Sequence, residues 1–330
     1  MNRFLKPLVA LLAFTPAAAA QQQPYQPPQH NQPAPLIGTA SQQEVARLAE
    51  LGVQIERDRT ARDLLGEHRR LATALANLQP QRRGKVDAYV VSVALDSDPV
   101  FGREAREAGR VLARRYKADG RTIVLAGTDG GGPSDLPMGS PQSLAAALAR
   151  VAELMDARED VLVLYATSHG APLGLVYNDG DQGFGAIAPA KLWRTLRELG
   201  LENRLLFISA CYSGQFVPMM MADRTAIVTA SAADKTSFGC QADNDWTFFG
   251  DAVINQALRK PQPLGKAVEE ARGLIARWER DGRLDASDPQ VSIGRGAGRW
   301  LAALERDLPP AGPTVGRSPA AALAALSARR

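Results

Sequence analysis

The sequence predicts an α/β fold in three layers, with a mostly parallel central sheet flanked by helices on both faces. Three observations carry this. Apolar, β-branched runs recur at 87–95, 121–127, 160–168, 204–211 and 225–231. Amphipathic stretches at helical spacing lie between them. The runs are also apolar almost throughout instead of alternating, which is the pattern of strands buried on both faces.

The elements follow in chain order. Residues 1–20 open with Arg3 and Lys6, continue with the apolar "PLVALLAF" and end in "TPAAAA". That order is a secretory signal peptide, with cleavage expected between Ala20 and Gln21. Its apolar stretch is too short to anchor in a bilayer, so an exported product, periplasmic or secreted, is expected. Residues 21–40 form a Gln/Pro-rich linker that cannot bury a core. His30 lies inside it, and no fixed catalytic role is expected of a side chain there. Residues 41–83 are a charged, helix-prone N-terminal segment. "SQQE" opens it as a capping box, with Ser41 as cap and Glu44 reaching back; His68 falls on its polar face.

The main domain spans 84–305. Its helices are read at 101–117, at "SPQSLAAALARVAELMD" with Pro141 near the start, and at "APAKLWRTLRELG" with Gly200 as stop. Two more follow at 246–259 and at "PLGKAVEEARGLIARWERDG". "GLVYND" (174–179) reads as a hairpin arm. Residues 306–330 lose the alternation and are expected to form a flexible tail.

The chain has 330 residues, 45% hydrophobic and 22% charged, with a formal charge of +4. Loss of Arg3 and Lys6 brings the mature product close to neutral. No segment interleaves Lys or Arg with aromatics, so neither nucleic acid nor a membrane surface is an expected partner. The oligomeric state stays open. There are two cysteines and three histidines. For an exported chain, a single Cys211–Cys240 disulfide is the plain reading of the cysteines. His30, His68 and His169 show no ligand spacing to them, so a structural metal is not expected.

Two strands end in chemistry. "VLVLYATSHG" delivers His169 and Gly170, and "LLFISACYSG" delivers Cys211. In an open α/β sheet, ligands bind beyond the carboxyl ends of the strands. A thiol beside an imidazole there is the arrangement for nucleophilic acyl transfer, the thiolate being the attacking species. Gly170 lets a carbonyl approach its backbone closely, and its N–H with that of Cys211 would meet a developing oxyanion. "GTDGGGP" (127–133) lacks the Lys-Ser/Thr of a phosphate loop and reads as a mobile loop. No G-x-S-x-G elbow exists, which argues against a serine enzyme of the α/β-hydrolase kind.

These elements resemble the legumain-type cysteine peptidases, relatives of caspases, in a bacterial-type secreted form. "LVLYATSHG", "LLFISACYSG", "TAIVTASAADKTSFGC" and "DNDWTFFGDAV" carry the likeness, which runs over about 87–295. It implies a caspase-like fold and an endopeptidase that acts on peptide or protein substrates without a cofactor. His169 would be the general base and acid, Cys211 the nucleophile, and Gly170 with Cys211 the oxyanion donors. Ser209 stands where the legumains of plants and animals carry an acidic pocket residue. The resemblance makes Asp245 and Arg103 the remaining candidates for the substrate pocket, with a helix N-terminal charge and a solvated helix residue as their plain alternatives. Two rival functions remain. One is a non-catalytic α/β binding module closed by the Cys211–Cys240 disulfide. The other is a transamidase using the same dyad.

Overall fold

The computed structural model describes residues 30, 40–57, 59–127 and 136–321. The signal peptide and all but two residues of the Gln/Pro linker lie outside the described residues, as does most of the 127–133 loop. Among the described residues no helix is long and apolar enough to cross a membrane.

In chain order the elements are α1 (Gln42–Leu51), β1 (Gln54–Glu56), α2 (Ala61–Ala76), β2 (Ala88–Ala94), α3 (Pro99–Arg115), β3 (Thr122–Leu125) and α4 (Pro141–Leu154). Next come β4 (Val161–Thr167), β5 (Gly170–Ala171), β6 (Gly174–Asp179), β7 (Gly183–Ile187), α5 (Pro189–Glu198), β8 (Arg204–Ser209), α6 (Phe216–Met220) and β9 (Thr225–Thr229). A π-helix (Gly250–Ala257), α7 (Leu264–Asp281), β10 (Val291–Ile293) and α8 (Ala297–Leu304) complete the fold.

The main sheet has the order β10-β9-β8-β4-β2-β3. All neighbours are parallel except β10, which runs antiparallel at the edge. The five runs read from the sequence are its parallel strands. Their alternate residues feed two cores. Val90, Val163, Leu205 and Val228 pack against side chains of α3, the π-helix, α7 and α8. Val91, Leu164, Leu206 and Ile227 pack on the opposite face with Leu144 and Leu148 of α4 and Leu192 and Leu196 of α5. Each such side chain contributes about 1.5–3 kcal/mol by leaving water. This is the three-layer α/β fold expected from the runs.

Departures from expectation lie outside that sheet. A second, antiparallel sheet, β1-β7-β6-β5, stands beyond the end of β4. β1 is a three-residue strand inside the segment read as wholly helical, and it pairs Ile55 with Phe184. The Ser41 cap forms, accepting from the Glu44 N–H at 3.2 Å, but Glu44 turns to Arg47 at 2.7 Å instead of reaching back. The helix expected at 246–259 widens into a π-helix at Gly250–Ala257. The end of the chain is not loose over 306–321. Val315 accepts from Trp246 Nε1 at 2.9 Å and from Asn255 Nδ2 at 3.0 Å, and Arg114 Nη2 donates to the Pro310 carbonyl. Buried donors of the π-helix region need acceptors, and a segment without periodicity supplies them.

Candidate active site

Strand register places the two reactive residues side by side. Thr167 and Ser209 are direct partners in the β4–β8 ladder. His169 and Cys211 each stand two residues further on, so both emerge at the same level of the carboxyl edge. The Ser168 N–H donates to the Ser209 carbonyl at 3.2 Å and prolongs the pairing past the strand ends. Gly170 then lies flat against Cys211. A Cβ on Gly170 would overlap the Cys211 carbonyl oxygen and crowd its nitrogen, so only glycine permits this approach. Tyr212 follows in the left-handed region at φ 57°, which turns the chain sharply just after the nucleophile position. Its N–H is held by the Lys235 carbonyl at 2.8 Å.

Cys211 is a free thiol, and so is Cys240; the disulfide expected from export does not form. Interaction with the Cys240 thiol is the largest influence on Cys211 and lowers its pKa. Burial opposes this, while the Ser237 backbone and hydroxyl and the charge of His169 add to it, and the result is about 5. The Ser237 N–H reaches the sulfur at 3.2 Å and the hydroxyl lies at 3.6 Å. The Ser237 carbonyl, at 3.5 Å, can be engaged only by the neutral thiol. Cys240 moves the opposite way. Donation to Cys211 and its own burial push it well above the ordinary thiol value, so Cys240 remains the protonated partner. No Cys211–Cys240 bridge closes this edge of the sheet.

His169 is held by Asp98. Its Nε2 lies 3.1 Å from Asp98 Oδ2, and its ring meets the edge of Phe101 at 4.9 Å between centroids. Burial alone would lower the imidazole pKa. The Asp98 hydrogen bond and the charges of Asp96 and Asp98 outweigh it, and the pKa is raised, with His30 opposing. Asp98 is the N-cap residue of α3 yet makes no capping bond with its side chain. Its carboxylate is thus free to serve His169. The sequence concealed this role, because an Asp ahead of Pro99 reads simply as a helix start.

The sequence-derived pocket residues are placed as follows. Ser209 is buried beneath Cys211 and donates to Glu104 Oε1 at 2.8 Å. Glu104 is fully buried and also accepts from Tyr165 Oη at 2.6 Å, Thr167 Oγ1 at 2.8 Å and the Thr247 N–H at 2.9 Å. A buried carboxylate from α3 therefore lies against Ser209. A Cβ at Gly250 would overlap this carboxylate. Arg103 Nη2 donates to the carbonyls of Ala242 (2.6 Å) and Asn244 (2.5 Å), and its Nε lies 3.8 Å from Asp245 Oδ1. Asp245 Oδ2 accepts from the Arg317 N–H at 2.8 Å. Arg103 thus anchors the loop that begins at Ser237 and Cys240 beside the nucleophile.

His30, read as part of a flexible spacer, has defined partners. It is seated on the main domain, its side chain only 18% exposed, with Nε2 2.8 Å from Asp96 Oδ1. Asp98 Oδ1 lies 3.6 Å from the same nitrogen, and Asp181 Oδ1 lies 3.4 Å from Nδ1. His68, by contrast, is exposed as expected.

A cysteine and a histidine thus stand at adjacent parallel strand ends of an α/β sheet, with the thiol pKa depressed. Residues 139–294 match the model of the peptidase C13 family, the legumain family, and both His169 and Cys211 fall within the match. The match supports a cysteine peptidase of the legumain type. No curated protein matches the sequence. Among solved structures, caspase-1 from Spodoptera frugiperda is similar at 14% identity and a TM-score of 0.42, with 65% of this chain and 92% of that one covered.

Proposed function

We propose that the protein is an exported endopeptidase that cleaves through a Cys211 thioester, with His169 as general base and acid. The observation that supports this best is the β4–β8 register, which sets His169 and Cys211 level at one sheet edge with Gly170 packed on the Cys211 backbone. The Cys211 thiolate adds to the scissile carbonyl and forms a C–S bond. The oxygen takes up the negative charge facing the N–H groups of Gly170 and Cys211. His169 gives its proton to the leaving amine as the C–N bond breaks. It then takes a proton from water, which attacks the thioester and frees Cys211. Asp98 positions the ring and supports the imidazolium without itself giving up a proton, as carboxylate partners of catalytic histidines do. Arg103 and Asp245, at the far end of the Ser237 loop, line the substrate pocket. Transamidation would share every step up to the thioester and differ only in the acceptor.

The test is turnover of a P1-randomised fluorogenic peptide pool by Cys211→Ala and His169→Ala. Loss of roughly 10³-fold or more is expected for members of one nucleophilic unit. Near-normal turnover by Cys211→Ala would end the assignment. Sequencing of material recovered from a periplasmic fraction should begin near Gln21; an intact Met1 there would refute export with cleavage.

A further inference from the structure

Two imidazoles share one carboxylate. Asp98 Oδ2 faces His169 at 3.1 Å, while Asp98 Oδ1 faces His30 at 3.6 Å. His30 also binds Asp96, a buried carboxylate at the end of β2, and faces Asp181 in the β6–β7 turn. The charged and titratable groups around it are therefore Asp96, Asp98 and Asp181, with His169 across Asp98. Three carboxylates that close together repel one another unless a cation stands between them, and here that cation is a histidine from a segment 66 residues away. His30, Asp96 and Asp98 bring one nitrogen and two oxygens within 4.8 Å of one another. The imidazole places one positive charge among these carboxylates.

The same N-terminal segment builds the rest of the seat. β1 adds to the β7 edge, Arg59 pairs with Asp179 at 2.7 Å, and Arg57 Nε donates to the Asp181 carbonyl at 3.1 Å. Asp181 itself sits at φ 57°, and the Ser97 hydroxyl accepts from the neighbouring Gly180 N–H at 2.8 Å. The turn that presents Asp181 is thus clamped between the N-terminal segment and the loop that presents Asp96 and Asp98.

We propose that Asp96, Asp98 and Asp181 form a seat for a cationic side chain beside His169, and that His30 fills it as an intramolecular latch that holds the peptidase down. While His30 is seated, its charge competes with His169 for Asp98. That disfavours the imidazolium which must accompany the Cys211 thiolate. Release of His30, by cleavage of the segment ahead of α1 or by deprotonation, returns the whole charge of Asp98 to His169. Seating raises the His30 pKa to about 9, against burial, through Asp96 first and then Asp98 and Asp181. The seat's contribution is therefore full below the ordinary 6.5 and is lost as pH rises through about 9.

This rests on the dyad reading above, and the experiment separates the two. Turnover of the peptide pool is measured from pH 5 to 10 for wild type, His30→Ala and His30→Lys, with Cys211→Ala as the blank. His30→Ala should exceed wild type by about fivefold or more at neutral pH, in the range of typical coupling between sites, and converge on it above about pH 9. His30→Lys keeps its charge and should stay as low as wild type at neutral pH without recovering above pH 9. Equal profiles for wild type and His30→Ala, or a His30→Lys profile matching His30→Ala, would overturn the latch. A second readout needs no turnover: Tm of wild type should exceed that of His30→Ala at pH 6, with the gap closing through pH 9. A gap that is absent or indifferent to pH would refute the seat even if Cys211→Ala showed the dyad to be wrong.

Discussion

The two ends of the main sheet both carry clusters of charge, yet they do different work. At the amino edge, Asp87 is bound by Arg82 at 2.5 and 2.8 Å and by the Arg82 N–H at 2.6 Å, with Arg121 Nε at 3.4 Å. Asp160 accepts from the Asp87 and Asp156 N–H groups, and Asn203 Nδ2 closes on the Asp160 carbonyl. Each group has fixed guanidinium, amide or backbone partners, and Asp87 and Asp160 are fully buried. This end fixes where the strands begin. At the carboxyl edge the partners are themselves titratable: a thiol on a thiol, and two imidazoles on one carboxylate. His169 is 39% exposed on its side chain, so reagents can reach it. Charge alone does not mark a working site; charge with exchangeable partners and an open face does.

Substitutions at the two ends should therefore separate activity from stability. The largest effect is expected from Cys211→Ala, about 10³-fold in turnover with an unchanged unfolding midpoint. Asp98→Asn should follow, at about a hundredfold in kcat/KM through misplacement of the ring. It should also move the alkaline limb of the pH profile downward. Asp98 raises the His169 pKa, so losing its charge lets the imidazolium deprotonate at lower pH. A limb that stays in place would reduce Asp98 to a structural residue. Asp87→Asn should do the reverse, costing about 1–3 kcal/mol of stability by leaving buried Arg121 underpaired while kcat/KM stays constant. Loss of turnover without loss of stability there would erase the contrast.

The smallest effect concerns specificity. Asp245 is about one-third exposed and already near Arg103. Asp245→Asn should weaken a preference for P1 Asn or basic residues over P1 Asp by only about two- to fivefold, as for a screened charge. An identical P1 profile would remove it from the pocket.

What the sequence revealed follows from the kind of interaction involved. The five parallel strands were legible because burial on both faces leaves an unbroken apolar run, and His169 and Cys211 stood out because they end two such runs. Glu104 was hidden, since a glutamate in "GREARE" looks like any solvated helix residue until Tyr165, Thr167, Ser209 and Thr247 converge on it. β1 was hidden because three residues carry no period. His30 was misjudged because composition argues against order in a Gln/Pro stretch and is silent on one imidazole meeting three distant carboxylates. The free state of Cys211 agrees with its reading as the nucleophile, but the protonated Cys240 beside it was hidden, because that pairing depends on the Ser237 loop.

The thiolate–imidazolium pair at the carboxyl edge is the central claim, and the pH dependence of Cys211 alkylation tests it most directly. Iodoacetamide labelling, read by peptide mapping so that Cys240 is scored separately, should rise with a midpoint near pH 5 in wild type. The midpoint should move upward in His169→Ala, because the imidazolium charge helps hold the thiolate. A wild-type midpoint near the ordinary thiol value, unmoved by His169→Ala, would contradict the account.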